Sequence, residues 1–194
     1  MKNQYFTFAT AWNSRSIQLG FDYPVGYMQL ATLEERESYL KAILYRDFHY
    51  RRGSKFTTCL TCGSEDIFSQ EFKDLYEREG WTGLAFSEPI VIHDLKPGLV
   101  QPMSYYHVKV VERCERFIGH RWVYPNGCKC LTDWEVVNDG GFSFFQAASL
   151  GFWLCQPYVA QAVKRHKLTN IACNDVALWE KVPYPHHPPD QMEF

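Results

Sequence analysis

Seven cysteines stand at positions 59, 62, 114, 128, 130, 155 and 173. Cys59-Leu60-Thr61-Cys62-Gly63 has the shape of a zinc knuckle. Two thiolates at that spacing reach one tetrahedral ion, and the glycine lets backbone amides turn toward the sulfurs. One pair is half a site. The expected second half is Cys128 and Cys130, directly after the turn sequence Pro125-Asn126-Gly127, with Cys114 and His120 as reserve ligands. Four thiolates leave no open coordination position, so the ion expected is a structural zinc. It would tie down the 65-residue stretch from 63 to 127 by reducing the entropy of the unfolded chain. The competing reading is a pair of free thiols in a small loop. A redox reading is weaker, because Gly63 and two acids follow Cys62 where a helix N-terminus would be needed to lower a thiol pKa.

Other reactive residues offer less. The histidines at 49, 93, 107, 120, 166, 186 and 187 make no His-Glu-x-x-His or His-x-Glu motif. No nucleophile elbow, P-loop or dinucleotide fingerprint is present. Cys155 and Cys173 lie in apolar patterns and read as buried core thiols. Lys164-Arg165-His166-Lys167 closes a helix, where cations favour the dipole. Arg51, Arg52 and Lys55 read as solvated surface. Glu65, Asp66, Glu71, Asp74, Glu77 and Glu79 crowd around a helix. They read either as a solvated face or as an electronegative patch that speeds association with a basic partner.

The elements that must position these residues form an α+β pattern. Residues 5 to 30 read as short strands and turns. Thr32 and Glu35 stand at capping-box spacing, and Leu40, Ile43, Leu44 and Phe48 share one helical face, which predicts a helix over 33–49. A second helix starts after Ser69, turns Phe72, Leu75 and Tyr76 inward, and stops at Gly80. Leu84, Phe86 and Ile90 mark a strand, and residues 105–111 another. Asn138-Asp139-Gly140-Gly141 is a turn. Pro157 opens a third helix carrying Val159, Ala162 and Val163 and ending near Lys167. Ile171 to Trp179 is the expected last strand, and 183–194 a Pro-rich extended tail.

Two segments look alike. Ile67-Phe68-Ser69-Gln70, a helix and Trp81-Thr82-Gly83-Leu84-Ala85-Phe86 are matched by Trp153-Leu154-Cys155-Gln156, a helix and Leu168-Thr169-Asn170-Ile171-Ala172-Cys173. Aligning the glutamines gives an offset of 86 that moves to 87 inside the helix. The Gly or Asn after each Thr suits a left-handed turn at a helix exit. The fold class expected is therefore α+β, with two related strand-helix-strand units and a zinc-knuckle insertion. Residues 1–182 would be one domain with lobes of about 1–112 and 113–182.

Composition limits the function. The chain has 194 residues, 46% of them hydrophobic and 16% aromatic, enough for a sizeable core. Its net charge of -2 lacks the basic footprint of a nucleic-acid binder. No run approaches the ~18 apolar residues of a membrane span. The N-terminus lacks the apolar region of a signal peptide, and the clustered cysteines suit a reducing compartment, so a cytoplasmic location is expected.

Two features together resemble the immunity proteins of bacterial polymorphic toxins. Phe152-Trp153-Leu154-Cys155-Gln156, its helix, Lys167-Leu168-Thr169-Asn170-Ile171 and Ala177-Leu178-Trp179-Glu180 resemble the ending of the Imm11-like families. Cys59-Leu60-Thr61-Cys62-Gly63 before a similar unit resembles the double-CxxCG families. The likeness covers about residues 55 to 180. It departs at Cys128-Lys129-Cys130, where a second CxxCG would stand. The resemblance implies a non-enzymatic cytoplasmic protein that binds a cognate toxin domain tightly and blocks it. The alternative is a zinc-ribbon adaptor that binds nucleic acid or a nucleic-acid machine. A thiol-nucleophile enzyme is the third reading.

Overall fold

The computed structural model describes residues 5–11, 15–21, 44–63, 65–112, 116–123, 129–137, 139–146 and 153–175. Strands predominate in this mixed α+β protein. In chain order the described elements are β1 (Phe6–Thr10), β2 (Gln18–Gly20), β3 (Asp47–Arg52), β4 (Cys59–Cys62), β5 (Glu65–Ser69), α1 (Gln70–Arg78), β6 (Leu84–Pro89), β7 (Val91–His93) and β8 (Tyr105–Val110). They continue with β9 (Arg116–Val123), β10 (Lys129–Val137), β11 (Phe144–Gln146), β12 (Trp153–Cys155), α2 (Pro157–Arg165) and β13 (Ile171–Asp175). A seven-stranded sheet runs β6-β8-β5-β4-β2-β3-β7, and a four-stranded one runs β11-β12-β1-β13. β9 and β10 pair with each other. The N-terminal strand thus joins the sheet of the C-terminal segment.

Both helices form where the sequence places them. Ser69 and Gln156 are their N-caps, with similar extended backbone angles, and stand 87 residues apart. The offset is therefore already 87 at the helix start, which corrects the 86 obtained by aligning the glutamines. A cap is defined by backbone position, and Gln70 already lies inside α1. Phe72 and Leu75 are buried from α1, and Val159, Ala162 and Val163 from α2.

The aromatic core lies between these helices and the two sheets. Phe8 sits at its centre, with Phe68, Phe72, Phe144 and Trp153 at ring-centroid distances of 5.8, 5.9, 5.1 and 6.1 Å. Each such buried side chain contributes roughly 1.5–3 kcal/mol by leaving water. A second core, under the β2-β3-β7 extension, gathers Ile17, Phe48, Leu60, Ile67 and Tyr105.

The expected helix over 33–49 needs correcting at its end. Residues 33–43 lie outside the described set, but Asp47–Arg52 is a strand, paired antiparallel with β2 and parallel with β7. Phe48 is fully buried there, and His49 and Tyr50 are half-buried. Sheet pairing overrides the helical spacing that Phe48 happens to complete. The expected turn at 125–127, the last residues of the 171–179 strand and the tail at 183–194 also fall outside the described residues.

The two helix-exit turns clasp the opposite segment through matching bonds. The Thr82 amide donates to Ser143 Oγ at 3.0 Å, and the Ser143 amide donates to Thr82 Oγ1 at 3.2 Å. The Phe144 amide donates to the Thr82 carbonyl at 3.0 Å. At the other turn, the Thr169 amide donates to Thr58 Oγ1 and the Thr58 amide to Thr169 Oγ1, both at 3.0 Å. The Cys59 amide donates to the Thr169 carbonyl at 3.2 Å. As the sequence suggests, the next residue in each turn is left-handed: φ is 99° at Gly83 and 63° at Asn170.

Candidate functional site

Cys59-Leu60-Thr61-Cys62 forms the first arm of a β-hairpin, and Gly63 enters its turn. β4 pairs antiparallel with β5, Cys59 opposite Phe68 and Cys62 opposite Glu65, and Gly63 takes φ of 57° at the turn. Side chains alternate faces along a strand, so two residues three apart point opposite ways. Cys59 accordingly enters the core around Phe8, and Cys62 the core around Phe48. The two thiols thus sit in different cores on opposite faces of the sheet. Cys128 and Cys114 lie outside the described residues. Cys130 and His120 fall on β10 and β9, where Thr132 opposes His120 and Cys130 opposes Trp122 along the backbone. Among the described residues, no group of three or more His, Cys, Asp and Glu side chains could hold a metal ion.

Cys59, Cys62 and Cys155 are held in their protonated form. Burial pushes Cys59 well above the ordinary thiol range, and the nearby Asp66 carboxylate adds to it. Its Sγ lies 3.1 Å from Thr10 Oγ1. Burial and then the Glu65 charge push Cys62 up to about 12. Cys155 is buried and raised as well, with Cys173 beside it. A protonated buried thiol is a poor nucleophile. Cys155 thus occupies the core, as its apolar sequence context suggests.

Glu65 and Asp66, grouped by sequence with the acids of α1, are not on the helix. They lie on β5 and face opposite sides of the sheet. Glu65 is buried at 3% exposure, where its Oε2 accepts from His107 Nε2 at 2.6 Å and from Lys109 Nζ at 2.5 Å. The Tyr45 amide donates to His107 Nδ1 at 2.8 Å. With Nδ1 accepting and Nε2 donating, His107 is a neutral imidazole with both nitrogens occupied. Burial, with Lys109 adding to it, lowers its pKa below the usual histidine range, in agreement with that tautomer. Burial would raise Glu65, but its hydrogen bonds to His107 and Lys109 outweigh this and hold it below the usual carboxylate range. Asp66 is the opposite case. Burial raises it to about 7, although Lys109 and a hydrogen bond from Thr10 pull the other way.

Two exposed acids of α1, Glu71 and Asp74, line a surface groove. A groove of about 390 Å³ runs between α1 and the exit of α2. Leu75, Leu168 and Met103 supply its apolar lining, Glu71 and Asp74 its acidic one, and Arg78 and His166 close it. The Thr58 hydroxyl donates to Glu71 Oε2 at 3.5 Å, and Gln70 Nε2 donates to Asp74 Oδ1 at 2.7 Å. Lys164-Arg165-His166 sits at the end of α2, and Arg165 pairs with Glu79 at 3.3 Å across the two helices. That basic run closes a helix, as its sequence position suggests.

Sequence reasoning missed the buried Glu65-His107-Lys109 cluster and an exposed pair, His49 and His93. Alternation on residues 105–110 held a local signal for the first, because His107 and Lys109 share a face. Nothing local signals the second, since the two histidines stand far apart in the chain. No described helix is long and apolar enough to cross a membrane. A scan against protein-family models finds no match. A search of curated proteins finds none either.

Proposed function

We propose that this chain is an immunity protein: it binds one cognate toxin domain in the cytoplasm and neutralises it, without catalysis of its own. The observation that carries this reading is the α1 groove. An apolar lining under exposed carboxylates suits a partner segment that carries an apolar anchor beside a basic residue. The resemblance at Cys59–Gly63 and at 152–171 supplies the kind of partner. The frame would be two related strand-helix-strand units. Their matching caps, their reciprocal threonine bonds and the common order β4-β5-β8-β6 and β11-β12-β1-β13 support that relation.

The test is co-expression with the toxin domain encoded beside this chain, scored by survival and by co-purification. Survival with an equimolar complex is the expected result. A toxic neighbour that this chain neither binds nor neutralises would overturn the proposal.

A further inference from the structure

The far edge of the seven-stranded sheet carries two imidazoles side by side. β3 and β7 run parallel, with Asp47 opposite Val91, Phe48 opposite Ile92 and His49 opposite His93. Phe48 and Ile92 pack on the inner core, so alternation turns Asp47, His49 and His93 together to the outer face. The two rings lie 5.3 Å apart between centroids, tilted by 33°. Their side chains are 42% and 43% exposed.

Each ring is held from behind by a carboxylate. His49 Nδ1 lies 3.1 Å from Asp94 Oδ2, and His93 Nε2 lies 2.9 Å from Asp47 Oδ1. Asp94 takes φ of 58°, in the left-handed region. A carboxylate on one nitrogen fixes the tautomer and leaves the other nitrogen as a lone-pair donor. That leaves Nε2 of His49 and Nδ1 of His93. Carboxylate-backed imidazole is the usual setting of a metal-bound histidine. Two imidazoles bound to one tetrahedral ion through bonds of ~2.0–2.1 Å hold their ring centres about 5 Å apart, close to the spacing seen here.

We propose that His49 and His93 form a surface site for a borderline divalent cation of the zinc type. The ion takes His49 Nε2 and His93 Nδ1, and water fills the remaining positions. Asp94 and Asp47 act as positioning residues that orient the rings. The site is separate from the cysteines and does not depend on the immunity reading.

The experiment is a zinc titration of the full chain, followed by the imidazole nitrogen resonances of each histidine. These report on the two rings whatever metal the thiols take up. At one equivalent, the Nε2 signal of His49 and the Nδ1 signal of His93 shift together. His49→Ala removes the His93 shift and lowers the zinc affinity of the site by at least about 100-fold. Asp94→Asn keeps both ligands and weakens binding about tenfold. Circular dichroism checks that each variant is folded, which its exposed position favours. Rings that stay unmoved at millimolar zinc overturn the proposal. So does a His93 shift that persists at the same affinity in His49→Ala.

Discussion

The segments β5-α1-β6 and β12-α2-β13 pass through the same backbone bonds and finish their helix-exit turns by different means. In the first, Gly83 leaves room for the Phe144 carbonyl, which would lie 1.9 Å from any Cβ placed there. In the second, Asn170 takes the same left-handed place and uses its side chain, Nδ2 donating to the Cys59 carbonyl at 2.7 Å. One turn achieves closeness by having no side chain, the other by having one that bonds. The backbone clasp is thus common, and the side chains that complete it are not. The sheets differ in the same way. Where β8 brings His107 and Lys109 to Glu65, the positions of β1 that match these two carry Thr7 and Ala9. Buried charge is therefore not a requirement of this sheet order. It occurs on the face that the β2-β3-β7 extension covers.

The largest effect expected comes from exchanging the two solutions. Gly83→Ala forces a methyl group against the Phe144 carbonyl at a positive φ, and should cost about 3–4 kcal/mol. Asn170→Ala loses a hydrogen bond and keeps the unfavourable backbone, and should cost about 2 kcal/mol. Urea unfolding of both variants measures the difference. Equal losses would show that the two turns are closed in the same way.

The buried cluster gives the next effect. Glu65→Gln removes the charge that faces Lys109 and His107 while keeping its size. Breaking a buried ion pair from one side costs about 3–5 kcal/mol, and the partial exposure of Lys109 reduces that to about 2–3 kcal/mol here. The corresponding change on the other sheet, Thr7→Val, should cost less than about 1 kcal/mol, since its hydroxyl makes one long bond of 3.4 Å to Asn174. Comparable losses in urea would remove the distinction between the sheets.

How much of this was legible in the sequence follows from how local each signal is. Phe72 and Leu75 give α1 its periodicity, and Pro157 marks the start of α2, within a single turn of chain. The left-handed turns were readable from Gly83 and Asn170 because backbone strain depends on one residue. The threonine clasp was not, because Thr82 meets Ser143 and Thr169 meets Thr58 only after the sheets assemble. The cysteine spacing alone leaves the direction of the two thiols open for a related reason. Two thiols three residues apart converge in a tight loop and diverge in a strand, and only the pairing with β5 decides which. Phe48 shows the same dependence, completing a helical face on paper and a strand face in the fold. His49 and His93 become neighbours solely through the parallel pairing of β3 with β7.

The last test addresses the contrast between adjacent carboxylates. Asp66 is raised to about 7 by burial, against an ordinary carboxylate value in the unfolded chain. Between those two pH values the unfolded state releases the Asp66 proton and the folded state keeps it. Stability therefore falls as pH rises through that window, and the loss is complete above about 7. Asp66→Asn cannot ionise, so it should gain stability over the parent at pH 8 and nothing at pH 4. Glu65 has the opposite sign. Its folded pKa is lowered, so its contribution is present above the unfolded value and fades as pH falls through the folded one. Cys59 and Thr10 share the side of Asp66, and the Lys109 and Glu65 charges reach it from the other side of the sheet, with only Lys109 positive. A gain that is the same at both pH values would assign the effect to packing. A loss at pH 8 would mean that Asp66 is ionised and stabilised by Lys109, which would make the two carboxylates alike.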